Sequence, residues 1–427
     1  MRLQCTAILA CAIFGFASGQ QSNLSCPGVA APLYGYTTDT AFRAIKVAGG
    51  LANPRAVVID KTGRLLVLER GKGISQHTVD SDGCITKSTQ LLALTSLNHG
   101  IYLSPSQNKL YASSTTTVYS WSYNVATGQL GTDRAVVVQG MNNGGHSTRT
   151  LIISPKYTNL LAVSCGSNAN IDADSINPSA GRAIVKVFNL NSIPSGGYNY
   201  VTQGYNAGYG LRNEVGLAFD AGGMLWGVEN SADDLTRTAN GVTTDVHLNN
   251  PAEELNYLGD VSKPNNQWYG YPTCFTVGDP SQFKDKTFTL GDQFVTNPGS
   301  TSNDTTCVQK STPPRLIFPA HSAPLDAKFD AGSQNLYVSL HGSWDRSPPT
   351  GFGLIRVPFT KASDGSYAPV AASNKIGYLK VFSPKRADGQ TCTASTCVRP
   401  VGLAFDSTGR LYMTSDASGE LFLISKV

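Results

Sequence analysis

Along this 427-residue chain, short runs of leucine, β-branched and aromatic positions are broken every few residues by Gly, Asp, Asn, Ser or Thr. One form returns six times, a turn followed by a β-rich run: "TGRLLVLER" from Thr62, "QNKLYASS" from Gln107, "TNLLAVSCGSN" from Thr158, "GGMLWGVEN" from Gly222, "SQNLYVSLHGSW" from Ser333 and "TGRLYMTSD" from Thr408. Three of these follow a strand-like stretch of matching form, "PRAVVIDKTG", "EVGLAFDAGG" and "PVGLAFDSTG". Each unit therefore reads as hairpin-connected antiparallel strands, with Gly at the turn where a positive φ is needed. Helical periodicity is almost absent, which argues against an α/β enzyme. Repeated four-stranded sheets at this spacing predict an all-β chain, a six-bladed β-propeller. In such a ring, polar residues at matching places in successive blades meet around one axial mouth.

The ends and the cysteines change the picture next. Met1-Arg2, the apolar stretch from Ala7 to Ala17 and the small residues Ala17-Ser18-Gly19 have the form of a secretory leader. The reading is a signal peptide over 1–19 and a single propeller catalytic domain over 20–427, secreted and extracellular. No other segment is apolar for long enough to span a membrane. Two N-x-S/T sequons, Asn23 and Asn303, are glycosylation candidates in that compartment. Of nine cysteines, Cys5 and Cys11 leave with the leader. Sequence proximity pairs Cys26 with Cys84, Cys274 with Cys307 and Cys392 with Cys397, leaving Cys165, inside a strand-like run, as a buried free thiol. The formal net charge is +4, without a long basic run to follow a phosphate backbone, so nucleic acid is not an expected partner. No zinc spacing, phosphate loop or nucleophile elbow is present.

The candidate chemistry lies next to the repeats. Beside or near their strands stand Asn98-His99, His146 and Arg149, Arg212-Asn213, the acidic "ENSADD" from Glu229, His321, His341 to Arg346, and Arg399. Four of the six histidines belong to this set. Any one of them alone reads as a solvated loop residue; recurrence in phase with the blades points to an axial site. Guanidinium forks hold carboxylates bidentately and stack on flat rings, so arginines with histidines suit a planar polyanion. The stretch His341 to Arg346 reads as the inner strand of a late blade reaching the axis, with Trp344 as an aromatic wall or, equally, a packed blade corner.

"GSNANID", "GRAIVKVFNL", "GLRNEVGLAF", "PAHSAPL" and "HGSWDRSPPTG" resemble the glucose/sorbosone dehydrogenase propellers that bind pyrroloquinoline quinone (PQQ), and among them the fungal PQQ-dependent pyranose dehydrogenases. The resemblance runs from about Leu51 to Ile424. It implies a propeller holding PQQ and Ca²⁺ over its central channel and oxidising pyranose sugars, aldoses or 2-keto-aldoses, at the anomeric carbon. It makes His146 the general base for the anomeric hydroxyl. Arg212 and Asn213 become contacts to the quinone oxygens, with Arg212 stabilising charge on the reduced quinone. His341 falls where bacterial relatives have a lysine on a cofactor carboxylate, so Arg346 is the expected source of fixed charge. Arg399 matches an arginine that holds or stacks on the cofactor, and His99, Arg149 and Trp344 complete the expected cofactor shell. Calcium falls on the backbone carbonyls of Ser231 and Ala232, where the family's Gly-Pro has become Ser-Ala; Asp233 and Asp234 read equally well as an ordinary acidic turn.

No haem-ligating arrangement follows the last repeat. The expected monomer therefore passes electrons to a separate acceptor, and the resemblance implies a secreted b-type cytochrome and, through it, copper polysaccharide oxygenases. Two other classes compete: a calcium-dependent lactonase-type hydrolase, which needs carboxylates and Asn converging on an axial metal, and a non-catalytic binding propeller, which has no use for a proton acceptor beside arginines.

Overall fold

The computed structural model describes residues 24–386 and 388–427; the leader over 1–19 and the Asn23 sequon lie outside the described residues. Six antiparallel sheets follow one another, which makes the chain a six-bladed β-propeller. Their inner strands, Pro54–Ile59, Leu97–Leu103, Leu151–Ile153, Glu214–Phe219, Pro324–Phe329 and Pro400–Phe405, adjoin one another around the axis. The six repeats read from the sequence are the second strands: Leu65–Glu69, Lys109–Ser114, Leu160–Cys165, Leu225–Glu229, Asn335–Leu340 and Leu411–Ser415. These are buried along nearly their whole length because neighbouring blades cover both faces. That double burial explains why they read as continuous apolar runs rather than alternating ones.

Each tight first hairpin has a local cause. In "DKTG", "DAGG", "DAGS" and "DSTG" the aspartate Oδ1 accepts backbone N–H groups on the far side of the turn, as Asp60 does from Thr62 and Arg64 at 2.9 and 3.0 Å, and Asp406 from Thr408 and Arg410 at 2.9 Å each. Asp220 and Asp330 repeat the device. Blades 2 and 3 use Ser104 and Ser154 at the same place.

Closure of the ring comes from the N-terminal side. Phe42–Ala48 pairs antiparallel with Glu420–Lys426 and becomes the outer strand of blade 6, so first and last parts of the chain share one sheet. The disulfide Cys26–Cys84 then ties this strand's approach to blade 1, and Cys274–Cys307 and Cys392–Cys397 are formed as the spacing predicts, with Cys165 free and buried. Blade 4 carries the largest insertion, a hairpin of Cys274–Thr276 with Gln293–Val295 and the helix Asp304–Lys310. Asn303 caps that helix: its side chain accepts from Thr306 N at 3.0 Å. Among the described residues no helix is long and apolar enough to cross a membrane.

One sequence expectation is corrected. The inner strand of blade 5 is Pro324–Phe329, and His341 to Arg346 is the loop that leaves the second strand Asn335–Leu340 at the axial mouth. A Pro-Pro turn and Gly351 carry the chain back to the third strand.

Candidate functional site

Inner strands start, and second strands end, at the same rim of the ring. The loops there enclose a cavity of about 290 Å³. Arg55, Arg212 and Arg399 line it from three blades, with His146, His341 and His321 between them.

His146 stands before the inner strand of blade 3. Its Nδ1 lies 2.9 Å from Ser167 Oγ and 3.3 Å from the Ser167 carbonyl. Ser167 Oγ donates its one hydrogen to Ala169 O at 2.7 Å, so toward His146 it can only accept. Nδ1 therefore carries the proton and Nε2 the lone pair. Burial, reinforced by the nearby Arg212, pushes the imidazole down to about 4, so it is a neutral acceptor at neutral pH. Gly166 makes the close packing possible: a Cβ there would lie 2.6 Å from His146 Cβ and 2.7 Å from Asn213 Oδ1.

Arg212 is fixed on every side. It donates to Asn170 O at 3.0 Å, Asn170 Oδ1 at 2.8 Å, Asp233 Oδ2 at 2.9 Å, Asn230 O at 3.1 Å and the Ser231 carbonyl. Its backbone N–H is taken by Glu229. Across the cavity Asp416 joins two other groups, accepting from Arg55 Nη1 at 2.5 Å and His341 Nε2 at 2.8 Å. Burial lowers His341 to about 4 despite Asp416, so at neutral pH this contact is a neutral N–H donor on a carboxylate rather than an ion pair. Arg399 reaches the His341 and Gly342 carbonyls at 2.9 and 3.2 Å and lies over the Phe352 ring.

A third group sits at the wall. Asp233, His321 and Asp345 bring one ligand atom each within 4.8 Å of one another. His321 Nε2 bonds the His247 carbonyl at 2.5 Å, which makes Nε2 the donor, while Nδ1 is 3.6 Å from both carboxylates. Those carboxylates and the carbonyl outweigh burial and raise the imidazole above its ordinary value.

The family model TrAA12-like matches residues 36–427, nearly the whole described chain. The chain belongs to the TrAA12-like family. It is 42% identical over 412 residues to a pyrroloquinoline quinone-dependent pyranose dehydrogenase of Coprinopsis cinerea, covering 95% of this chain but only 56% of that protein's length. To a pyrroloquinoline quinone-dependent sugar dehydrogenase of Hypocrea jecorina it is 37% identical over 392 residues, 89% of this chain and 87% of that one. The holo PQQ domain from Coprinopsis cinerea superposes with a TM-score of 0.91 at 41% identity, covering 94% of this chain and 100% of that one.

In this TrAA12-like protein the cavity unites His146, Arg212, Asn213, Ser231, His341, Trp344 and Arg399. Trp344 stands at the rim, 70% exposed, as an open aromatic face rather than a packed corner. Three expected side chains lie elsewhere. Arg149 is fully buried and braces the turn that carries His146, donating to the His146, Thr148 and Asn142 carbonyls. His99 lines a second, smaller axial cavity of about 60 Å³ below the first. Arg346 turns away, binding Leu248 O at 3.0 Å, Asn249 Oδ1 at 2.7 Å and Pro348 O at 2.6 Å. Arg55, from blade 1, lines the cavity in its stead. Ala232, expected to offer only its backbone carbonyl, packs its side chain in the core under the insertion of blade 4.

Sequence reasoning passed over Arg55, Asp416 and Ser167, and left His321 and Asp345 without a role. Phase held the signal for the first two: Arg55 opens its inner strand as Arg399 and Arg212 precede theirs, and Asp416 follows its second strand as His341 does. No comparable pattern marks Ser167.

Proposed function

We propose that this chain is a secreted quinoprotein dehydrogenase that oxidises pyranose sugars at the anomeric carbon with PQQ and Ca²⁺, passing electrons to a separate carrier. The observation that carries the reading is a neutral His146, its Nε2 lone pair unspent, on the wall of a small cavity with three guanidinium groups.

The residues fit both groups. Arg55 Nε is buried without a protein partner, an unspent donor where a carboxylate would sit. Arg55 and Arg399 would hold the carboxylates of PQQ on one side, and on the other Asn213 would meet the quinone oxygens with the charge of Arg212, whose five N–H groups are already taken, behind it. Asp233, Asp345 and the Ser231 carbonyl offer the oxygen donors that calcium takes. When bound, PQQ supplies a two-electron acceptor for hydride and Ca²⁺ polarises it.

The chain's own part is positioning and proton movement. His146 Nε2 accepts the proton of the anomeric hydroxyl as hydride leaves the same carbon, and Ser167 holds Nδ1–H turned away from the sugar. Arg212, locked by its five acceptors, keeps its charge in place without reorganising during the reaction. Trp344 at the rim offers a face on which a sugar ring can stack. Three disulfides suit an oxidising compartment. The carrier we propose is a secreted b-type cytochrome, and beyond it copper polysaccharide oxygenases, meeting a monomer at the open mouth.

Because the base is neutral only above its pKa, kcat/KM should be intact at neutral pH and fall as pH drops through about 4. Ser167→Ala should lower turnover about tenfold, a fraction of the 10²–10⁴ a positioned base supplies, since only the longer contact to the carbonyl then holds the ring. A pH–rate profile of both proteins checks this; identical profiles and rates would remove Ser167 from the mechanism.

The reading itself is tested by titrating the apoprotein with PQQ and Ca²⁺ and following sugar-dependent dye reduction. Saturable activation by both, with negligible peroxide when oxygen is the sole acceptor, is the expected result. Lactone hydrolysis with calcium alone would make the protein a hydrolase, and binding of sugar without turnover would make it a lectin-like propeller.

A further inference from the structure

Glu253 opens the third strand of blade 4 and lines the axial cavity at 3% exposure, yet no lysine or arginine among the described residues pairs with it. A buried carboxylate without a cation must satisfy its oxygens otherwise. Here Oε2 accepts the Ser231 N–H at 2.6 Å and Oε1 the Ala323 N–H at 3.1 Å. The two donors belong to different blades. Ser231 follows the second strand of blade 4, and Ala323 precedes the inner strand of blade 5.

Each donor leads on to a guanidinium. The Ser231 carbonyl accepts from Arg212 Nη1. The Ala323 carbonyl accepts the His341 N–H at 2.9 Å, and the His341 carbonyl accepts from Arg399 Nε at 2.9 Å. One line of bonded residues therefore runs from Arg212 through Ser231, Glu253, Ala323 and His341 to Arg399, from one wall of the cavity to the other. Part of that line is strained. In "PAHSAP" both His321 and Ala323 are left-handed, with φ of 61° and 51°, a conformation that is costly for a residue with a Cβ and persists only where its surroundings hold it. Glu253 at the Ala323 N–H and the Gly342 N–H at the Ser322 carbonyl, 3.0 Å, supply that hold. Other bonds join the same two blades, from Asn230 Nδ2 to the Pro324 carbonyl at 2.6 Å and from the Asp234 N–H to Asp345 at 2.9 Å. These keep the walls together, while Glu253 ties the backbone of one turn directly to the backbone of the other.

We infer that Glu253 is a positioning residue that fixes the distance and angle between the two walls of the axial cavity, the Ser231 turn behind Arg212 and the His341 loop that carries Arg399. A carboxylate suits this task because both of its oxygens accept. The amide of a glutamine accepts at one atom only and turns N–H groups toward the other donor. A rigid planar ligand that meets both walls at once feels any change, since it cannot follow a displaced wall. That consequence rests on the proposed PQQ site; the positioning itself does not.

The first measurement needs no PQQ: hydrogen exchange of the full-length apoprotein, resolved to single amides. In the parent, Ser231 and Ala323 should exchange slowly although their turns border an open cavity. Glu253→Gln should speed both by about tenfold or more, because the amide serves one donor at a time, while the amides of Leu225–Glu229 keep their rates. Unchanged rates at both turns, or a rise shared by that strand, would overturn the proposal. Should Glu253→Gln fail to fold, the parent still decides, since free exchange of Ser231 or Ala323 there would show that the carboxylate does not hold them. The second measurement titrates both proteins with PQQ and Ca²⁺. Binding about tenfold weaker, with a displaced absorption maximum of the bound cofactor and a Tm near that of the parent, is the expected result for Glu253→Gln. Equal affinity and an equal spectrum would overturn the positioning role. A parent that binds no PQQ would instead strike the cofactor reading, and the exchange rates would decide for Glu253.

Discussion

His146→Ala should lower sugar turnover by about 10²–10⁴-fold while leaving PQQ affinity within a few-fold of the parent. The loss follows from removing Nε2, the unspent acceptor on the cavity wall beside Arg212. Affinity is retained because the turn does not depend on the imidazole: Arg149 holds the His146 backbone carbonyl at 2.6 Å, a contact that alanine preserves. The cavity arginines Arg55, Arg212 and Arg399 belong to other blades. Steady-state turnover and a binding isotherm on the same preparation check both halves. Turnover near that of the parent would take His146 out of the chemistry; loss of PQQ binding would make it a cofactor ligand instead of a base.

Arg399→Ala should weaken PQQ binding by about 2–5 kcal/mol, the usual cost of removing one partner from a buried charged contact. Arg399 is the better probe than Arg212. Arg212 gives all five N–H groups to Asn170, Asp233 and the carbonyls of Asn170, Asn230 and Ser231, so its loss would unseat the turn itself. Arg399 is held by two carbonyls of the His341 loop, leaving part of its guanidinium for the cavity. Isothermal titration of both proteins at one salt concentration reads the difference. Equal affinities would place the carboxylates elsewhere in the cavity, with Arg55 as the next candidate.

How far the sequence foretold this structure depends on range. The blades were legible because each first hairpin is local: an Asp or Ser at a set distance before a strand closes its turn through its own side chain, and the code repeats. The disulfides were legible from proximity along the chain. His146, Arg212 and Arg399 were legible because position within a repeat translates into position around an axis.

What failed was direction. Arg149 and His146 are three residues apart at one strand start, yet one points into the wall and the other into the cavity, a choice made by the His146, Thr148 and Asn142 carbonyls that Arg149 satisfies. Arg346 was drawn away by Asn249 from blade 4, a partner about a hundred positions distant that no local pattern reveals. Asp416 pairs with Arg55 across 361 positions because the ring closes, and ring closure is invisible in any single repeat. Ser167 gives its one hydroxyl hydrogen to the Ala169 carbonyl, a choice of partner that no residue pattern encodes.

The most direct measurement is a single turnover under anaerobic conditions. Protein loaded with PQQ and Ca²⁺ is mixed with an aldose carrying hydrogen or deuterium at the anomeric carbon, and the absorbance of the bound cofactor is followed. The expected result is a bleaching that runs several-fold slower with deuterium and is nearly abolished in His146→Ala. Bleaching without an isotope effect would mean that the anomeric C–H bond is not broken in the observed step, and no absorbance change with any sugar would contradict sugar oxidation at this site outright.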